Sequence, residues 1–216
     1  MTTVTETISA AQVKELRGKT GAPMGDCLKA LQEAKGDQDQ AIIVLRKRGM
    51  ASAAKKAART TSEGAVGNYM HAGGKIGVLV EINCESDFVA RTEDFQELLK
   101  DIAMHIAATD PRYIRKEDVT DEDLAREKDI YRSQAAATGK PAPVVEKIVD
   151  GKMSKFYEEV CLLEQPFIKD QSITIKDMIA TKVGKLGENI TVKRFARFKV
   201  GDNSWTVAQV KADDAT

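Results

Sequence analysis

The chain has 216 residues, of which 42% are hydrophobic and 31% are charged. This length and composition allow one or two folded domains with a hydrophobic core and argue against a disordered chain. Lysine plus arginine number 33, as do aspartate plus glutamate, and this balance argues against a dedicated nucleic-acid-binding protein, which usually carries a net positive charge.

The cysteines and the hydrophobic runs indicate where the protein works. Cys27, Cys84 and Cys161 are far apart, odd in number and lack the paired spacing of a zinc site, a usage typical of reduced intracellular proteins. No run approaches the roughly 18 uninterrupted apolar residues that a membrane helix requires, and the N-terminus lacks the pattern of a secretory signal. We therefore expect a cytoplasmic protein with no metal, no cofactor and no membrane contact.

Three short helices are predicted within residues 1–49, the helical head. Ser9 followed three residues later by Gln12 is a capping-box pattern that predicts the start of the first helix. Asp37 can cap the third helix, and the basic run before Gly49 predicts its end there. The second helix carries an apolar stripe formed by Met24, Cys27, Leu28 and Leu31. The head is therefore expected to be a small docking module with Cys27 in its core.

Alanine and lysine dominate residues 50–63, which predicts a linker helix. Two strand-like runs follow at 65–71 and 75–84, separated by a glycine turn that favours a hairpin. With a third run at 190–200, they predict a three-stranded antiparallel sheet. Alternation gives the second strand one apolar face, formed by Ile76, Val78, Val80, Ile82 and Cys84. The matching set in the third run is Ile190, Val192, Ala196, Phe198 and Val200.

Apolar stripes between the strands predict helices that cover one face of the sheet. One stripe consists of Phe95, Leu98, Leu99, Ile102 and Ile106. Another consists of Met153, Phe156, Tyr157, Val160 and Leu163. The fold class is therefore predicted as α+β, divided into the helical head (1–49), a linker (50–63), a core domain (64–200) and a C-terminal extension (201–216). The extension contains Trp205, and its pattern fits either an added strand or a loose tail.

The most informative segment of the chain, Glu81 to Arg91, lies at the end of the second predicted strand. Ser86 can cap a helical turn there, and Asp87 can complement the exposed N–H groups at its start. Phe88 would ordinarily be a core side chain, because burying such a ring removes about 1.5 to 3 kcal/mol worth of apolar surface from water. Residue spacing alone favours these structural roles.

Three segments nevertheless resemble one family. Glu81 to Arg91, the stretch Leu16 to Leu31 and the string LLEQPFIKD at 162–170 are similar to bacterial elongation factor Ts, which releases GDP from elongation factor Tu. The likeness runs from about Val13 to Val200 and corresponds to the short form of the family. Three residues depart from the family pattern, namely Pro23, Gly25 and, in place of the usual threonine, Ser86.

The resemblance implies a function and a set of site residues. The residues expected to disturb the magnesium site of elongation factor Tu, with the aromatic ring entering its G domain, are Ser86, Asp87, Phe88 and Val89. The residues expected to dock the head, a ubiquitin-associated-like module, onto that G domain are Lys14, Arg17 and Met24. Such a guanine-nucleotide exchange factor makes and breaks no bond, so we expect no enzyme and no nucleotide bound by this chain itself. The short form also implies that two copies can form a homodimer.

Two other classes of function can be weighed on the residues. An enzyme would need Cys84 as a nucleophile with His71 or His105 as its base, but alternation turns Cys84 toward the apolar side. An RNA-binding accessory protein is the better alternative, because the basic and aromatic strand at 193–199 is typical of a stacking platform. Its residues are Lys193, Arg194, Phe195, Arg197 and Lys199. The zero net charge favours a protein interface instead, so direct contact with nucleic acid is not expected.

Overall fold

The computed structural model describes residues 8–202 and 206–210, and within them the chain forms eight α-helices and six β-strands. The predicted α+β fold class is confirmed. These residues group into two compact units, the first containing 8–64, 84–95 and 177–191, and the second containing 65–83, 96–176 and the residues from 192 on. Trp205, whose setting the sequence left open, lies outside the described residues.

The α-helices are α1 (Ala10–Thr20), α2 (Met24–Glu33), α3 (Gln38–Lys56), α4 (Asp87–Ala90), α5 (Glu93–Thr109), α6 (Asp121–Ala136), α7 (Ala142–Val160) and α8 (Ile175–Leu186). The strands are β1 (Glu63–Met70), β2 (Ile76–Cys84), β3 (Pro166–Phe167), β4 (Asp170–Thr174), β5 (Ile190–Lys199) and β6 (Thr206–Gln209). Short 3₁₀ turns lie at Lys116–Asp118 and Leu162–Glu164.

The first three helices begin where the capping residues predict. The Gln12 N–H donates to Ser9 Oγ at 3.2 Å and the Ser9 N–H donates to Gln12 Oε1 at 2.8 Å, which confirms the capping box. The Gln40 N–H donates to Asp37 Oδ1 at 2.9 Å at the start of α3. The three helices bury one small cluster, which includes the predicted core cysteine: Val13, Leu16, Cys27, Ala30, Leu31 and Ala41.

Gly49 does not end α3, contrary to the prediction, and the helix continues to Lys56. The first residues of the predicted linker helix are therefore the last turns of α3. The close approach of α8 explains the glycine, because a Cβ atom on Gly49 would lie 3.3 Å from the carbonyl oxygen of Ala180. A Cβ atom on Gly184 would likewise lie 3.4 Å from the Gly49 Cα. Gly49 thus permits two helices to pack rather than stopping one of them.

Four strands form the main sheet, in the order β1-β2-β5-β6, so the prediction of three strands is wrong. The predicted glycine turn joins β1 and β2, with φ of +86° at Gly73 and +68° at Gly74, a conformation that other residues rarely adopt. The fourth strand comes from beyond residue 200 and pairs antiparallel with β5, with Phe195 opposite Ala208. Of the two interpretations of the extension, the added strand is correct for Thr206–Gln209.

The buried face was predicted correctly for β2 and for the start of β5, where Ile190 and Val192 are buried, and wrongly for the rest of β5. In β2, Val78, Val80, Ile82 and Cys84 are buried and Leu79 is exposed. In β5, Phe195 is only 2% exposed whereas Phe198 is 52% exposed, the reverse of the prediction. Lys193 and Arg194 are both exposed although they are consecutive, so the alternation shifts by one residue at this point, the effect that a β-bulge has on a strand.

Helix α5 lies against the main sheet within the second unit. The predicted stripe of α5 is buried throughout, at Phe95, Leu98, Leu99, Ile102 and Ile106. The backbone of β1 approaches α5 so closely that a Cβ atom on Gly67 would overlap the side chain of Leu99. The helices α6 and α7 pack together around a second cluster that includes Val149, Met153 and Phe156. Each predicted stripe therefore supplies a core.

Candidate partner-binding site

The corner between β2 and α4, residues 84–90, carries the residues predicted to act on a partner. Ser86 is the N-cap of α4, with extended backbone angles, and its Oγ accepts from the Val89 N–H at 3.4 Å. This is the capping role that residue type alone predicted. Val89 and Ala90 are buried and anchor the four-residue helix.

Phe88 projects from this corner into solvent. Its ring is 79% exposed, the highest value among the large hydrophobic side chains that the structure describes, whereas neighbouring Val89 is 9% exposed. Folding therefore leaves unused the apolar stabilisation of about 1.5 to 3 kcal/mol that burial of such a ring brings. A core role for Phe88 is excluded, and the ring is available to a partner.

Asp87 lies at the surface beside the exposed ring. Arg91 Nη2 donates to Asp87 Oδ2 at 2.7 Å across one helical turn, and both side chains are largely in water. Such an exposed ion pair contributes little to stability. The Asp87 carboxylate can therefore exchange Arg91 for another cation at low cost.

A reciprocal pair of carboxylates fixes the backbone of the corner. Glu188, which follows the end of α8, accepts hydrogen bonds from the N–H groups of Glu85 at 3.1 Å and Ser86 at 3.0 Å, and from Ser86 Oγ at 2.6 Å. In return, the Asn189 N–H donates to Glu85 Oε1 at 2.6 Å. This bond, followed by the nearby Arg59 guanidinium, lowers the pKa of Glu85 below its usual value. We call Glu85, Ser86, Glu188 and Asn189 the clasp.

Sequence reasoning missed Glu188 and Asn189. They lie about a hundred residues from the corner, belong to no periodic pattern and match no motif, so nothing in the sequence pointed to them. Their position depends on the turn at Gly187, which has φ +81° and ends α8. The chain thereby leaves the helix and brings Glu188 to the N–H groups of the corner.

The predicted docking residues of the helical head are all at the surface. Lys14 and Arg17 are exposed on α1, three residues apart and therefore on one side of the helix. Met24, in the first turn of α2, is also exposed, as is Leu28 one turn further on. The apolar stripe of α2 thus divides, with Cys27 and Leu31 in the core and Met24 and Leu28 in solvent.

The residues weighed for an enzyme are not arranged for catalysis. Cys84 is buried and its Sγ donates to the Ser86 carbonyl at 3.1 Å, and burial, reinforced by Glu188, raises the pKa of its thiol. Burial also raises the pKa of Cys161 to about 12. His105 is a core residue whose Nε2 lies 2.9 Å from Gln165 Oε1. Neither buried thiol is poised to form the thiolate that a nucleophile requires.

The strand weighed as a stacking platform for RNA is not arranged as one. Phe195 points into the core, so its ring offers no face to a base. Arg197 is buried as well, where Nη1 lies 2.9 Å from Asp110 Oδ2 and Nη2 donates to the Ala107 carbonyl at 3.2 Å. The shift in alternation at Lys193 and Arg194 turns the ring inward.

No helix among the described residues is long and apolar enough to cross a bilayer.

The fold and the site define an α+β protein whose candidate site is a projecting aromatic side chain on a corner held by hydrogen bonds. A family model described as Elongation factor TS matches residues 44–202. Elongation factor Ts from Koribacter versatilis (strain Ellin345) is 73% identical across 96% of this chain and 94% of its own length. The same-named protein of Solibacter usitatus (strain Ellin6076) is 61% identical across 90% of this chain and 92% of its own. The chain therefore belongs to the elongation factor Ts family of translation elongation factors.

Proposed function

We propose that this chain binds elongation factor Tu in its GDP-bound form and promotes the exchange of GDP for GTP. The observation that carries the proposal is Phe88, a bulky ring left 79% exposed on a capped corner. In the complex, the ring enters the G domain of the partner. Ser86 caps α4, the Asp87 carboxylate lies beside the ring, and the buried Val89 side chain anchors the helix.

The proposed mechanism acts on a magnesium ion that belongs to the partner. Mg²⁺ requires near-ideal octahedral geometry and bridges protein ligands to nucleotide phosphates. A ring inserted between the loops that support this ion disturbs its coordination and thereby weakens the binding of GDP to the partner. No covalent bond is made or broken, so this chain needs no general base, metal or cofactor of its own and is not an enzyme.

The helical head supplies further contacts in this proposal. To lower the affinity of the partner for GDP about a thousandfold, the factor must bind the nucleotide-free partner about 4 kcal/mol more tightly than the GDP-bound partner. One aromatic side chain does not supply this difference on its own. The exposed residues Lys14, Arg17 and Met24 dock a ubiquitin-associated-like head onto the G domain. Thermodynamic linkage then requires that an incoming nucleotide lower the affinity of the partner for the factor by an equal amount. The factor is thereby released.

The proposed organisation divides the chain at the boundaries predicted from the sequence. The head (1–49) docks, residues 50–63 connect, the core domain (64–200) presents the corner, and the extension (201–216) adds β6 to the sheet. The setting of this activity is the cytoplasm, where translation takes place. Neither a membrane nor a nucleic acid is a partner in this proposal.

We further propose that the solvent-facing side of the main sheet forms a homodimer. Leu79, Phe198 and Val207 are about half exposed on this side, where Val207 pairs with Ala196 in the β5–β6 register. These apolar side chains lie on three neighbouring strands, and exposed apolar side chains grouped in this way support an interface. The proposed occupant is a second copy, since the short form of the family implies a homodimer and a twofold interface uses the same patch on both copies.

The release of fluorescent GDP from elongation factor Tu tests the proposed function. The full chain is added at rising concentration to the loaded partner, and the loss of fluorescence is timed. We expect a release rate that rises with the concentration of the chain and then saturates. A rate equal to that without the chain, at every concentration, contradicts the proposal.

A further inference from the structure

We infer that Glu188 is a positioning residue for nucleotide release, because it holds residues 85–88 in the geometry that makes Phe88 project. This inference rests on the proposed function. Glu188 lies outside the segment 81–91 and contacts no partner in this inference. It acts through the backbone and the cap of α4.

The exposed ring cannot hold itself in place. α4 contains four residues, and a single helical turn of this length is not stable by itself. A ring that is 79% exposed has few packing contacts within its own chain to fix its direction. The direction of Phe88 therefore depends on the backbone that enters the helix.

Glu188 supplies that constraint through three hydrogen bonds from two consecutive residues. Its Oε2 accepts from the N–H groups of Glu85 and Ser86, at 3.1 and 3.0 Å, and its Oε1 accepts from Ser86 Oγ at 2.6 Å. Bonds to an ionised acceptor are stronger than those between neutral groups. All three donors belong to the corner, so one carboxylate ties down the two residues that precede α4.

The same carboxylate orients the helix cap. A hydroxyl has one proton, and Ser86 gives it to Glu188. An oxygen lone pair is then directed at the Val89 N–H, which lies 3.4 Å away. The cap of α4 therefore depends on Glu188 as well as on Ser86.

Glu188 is in turn held by its neighbour. The Asn189 N–H donates to Glu85 Oε1 at 2.6 Å, and Asn189 Nδ2 donates to the Arg59 carbonyl at 2.9 Å. Asn189 is buried. The clasp therefore joins two chain segments in both directions, and the corner cannot turn without breaking several bonds at once.

The test compares Glu188→Ala and Glu188→Gln with the unaltered chain in the GDP-release assay. We expect Glu188→Ala to lower the saturating release rate about tenfold while the half-saturating concentration changes little, since the docking contacts of the head remain. Glu188→Gln should lie between, because its carbonyl oxygen still accepts from both N–H groups but its amide nitrogen cannot accept the Ser86 proton. Glu164→Gln is the matched control: this half-buried carboxylate pairs with Lys116 at 2.8 Å, outside the clasp, and its loss should leave the rate unchanged.

Two further measurements separate this role from a general loss of structure. Amide hydrogen exchange should lose protection at Glu85, Ser86 and Val89 in Glu188→Gln, with the rest of the core unchanged. The double variant Phe88→Ala, Glu188→Ala should release GDP no more slowly than Phe88→Ala alone, because Glu188 acts through the ring.

Each remaining outcome overturns either the inference about Glu188 or the proposed use of the ring. If Phe88→Ala is impaired but both Glu188 variants keep the full rate, the inference is wrong and the proposed function stands. If the losses of the two single variants multiply in the double variant, Glu188 acts by another route and the inference is again wrong. If Phe88→Ala keeps the full rate, the proposed use of the ring fails, and the inference fails with it.

Discussion

Phe88 and Val89 are adjacent apolar residues in one helical turn, yet the first lies in solvent and the second in the core. Their sequence neighbours do not decide between these settings. Their settings depend on the direction of α4, and Glu188 bonds to the two residues that precede this helix. An exposed aromatic ring forgoes the folding stability that burial would have provided. Its exposure on a corner held by hydrogen bonds therefore supports contact with a partner.

His105 makes the stability of the protein depend on pH near neutrality. The side chain is fully buried, its Nε2 lies 2.9 Å from Gln165 Oε1, and burial lowers its pKa below the ordinary value of 6.5. Near pH 6.5 the unfolded chain binds a proton at His105 that the folded chain does not bind. The stability that the neutral side chain contributes is therefore complete above that pH and is lost as the pH falls. We expect the free energy of unfolding, measured in urea, to fall between pH 7.5 and pH 5.5.

The variant His105→Gln removes this titration and serves as the comparison. It is less stable at every pH if the core repacks poorly, but its stability should vary less over the same interval. Carboxylates such as Glu85, whose pKa is lowered, lose their contribution only below about pH 4.5 and do not interfere. Equal pH slopes in the two proteins would show that His105 is not the group responsible.

At the scale of elements, the sequence predicted what nearby residues determine. The capping box at Ser9 and Gln12 and the alternation of β2 are correct because their contacts lie within one helical turn or one strand. The face of the second half of β5 and the end of α3 were predicted wrongly. The first depends on the shift at Lys193 and Arg194, and the second on α8, which passes Gly49 from a distant part of the chain.

Gly67 in β1 is required by the packing of α5. A Cβ atom there would lie 2.9 Å from Cδ2 and 3.0 Å from Cδ1 of Leu99, a buried core side chain that has little room to move. We expect Gly67→Ala to destabilise the protein by about 1 to 3 kcal/mol, the usual cost of overpacking a core. The Tm measured by thermal unfolding should fall by about 2 to 4 °C for each kcal/mol lost, the usual ratio for a chain of this length.

Gly77→Ala in β2 is the matched control. Its new Cβ atom would meet only the sulfur and the terminal methyl group of Met70, an exposed and flexible side chain that can rotate away. Alanine also limits the unfolded backbone more than glycine does, so stability should be unchanged or slightly higher. A loss in Gly77→Ala as large as that in Gly67→Ala would contradict this account of β1 and α5.

At the scale of the whole molecule, the corner and the head together make up the candidate site. The site residues Ser86 to Val89 could be proposed from the sequence because they are contiguous and lie in a segment that resembles the family. The exposure of Lys14, Arg17 and Met24 agrees with a docking role. The clasp was not predictable, since Glu188 and Asn189 meet the corner only after the chain has folded around α8.

The proposed homodimer can be tested by a charge on the solvent-facing side of the sheet. Phe198→Arg places a cation where Phe198 is half exposed, and burying it against a second copy is costly. We expect the unaltered chain to sediment as a dimer at micromolar concentration and the variant to sediment as a monomer. Val144→Arg changes another exposed apolar residue, on α7, and should remain dimeric. A monomeric unaltered chain at the same concentration would refute the dimer.

The variant Phe88→Ala tests whether the exposed ring drives nucleotide release. Fluorescent GDP release from elongation factor Tu is measured at saturating factor for the unaltered chain, Phe88→Ala and the control Ile130→Ala, which removes an exposed apolar residue from α6. We predict a saturating rate at least about tenfold lower in Phe88→Ala alone, with a Tm within about 2 °C of the unaltered chain because little burial is lost. An unchanged release rate in Phe88→Ala would contradict the claim.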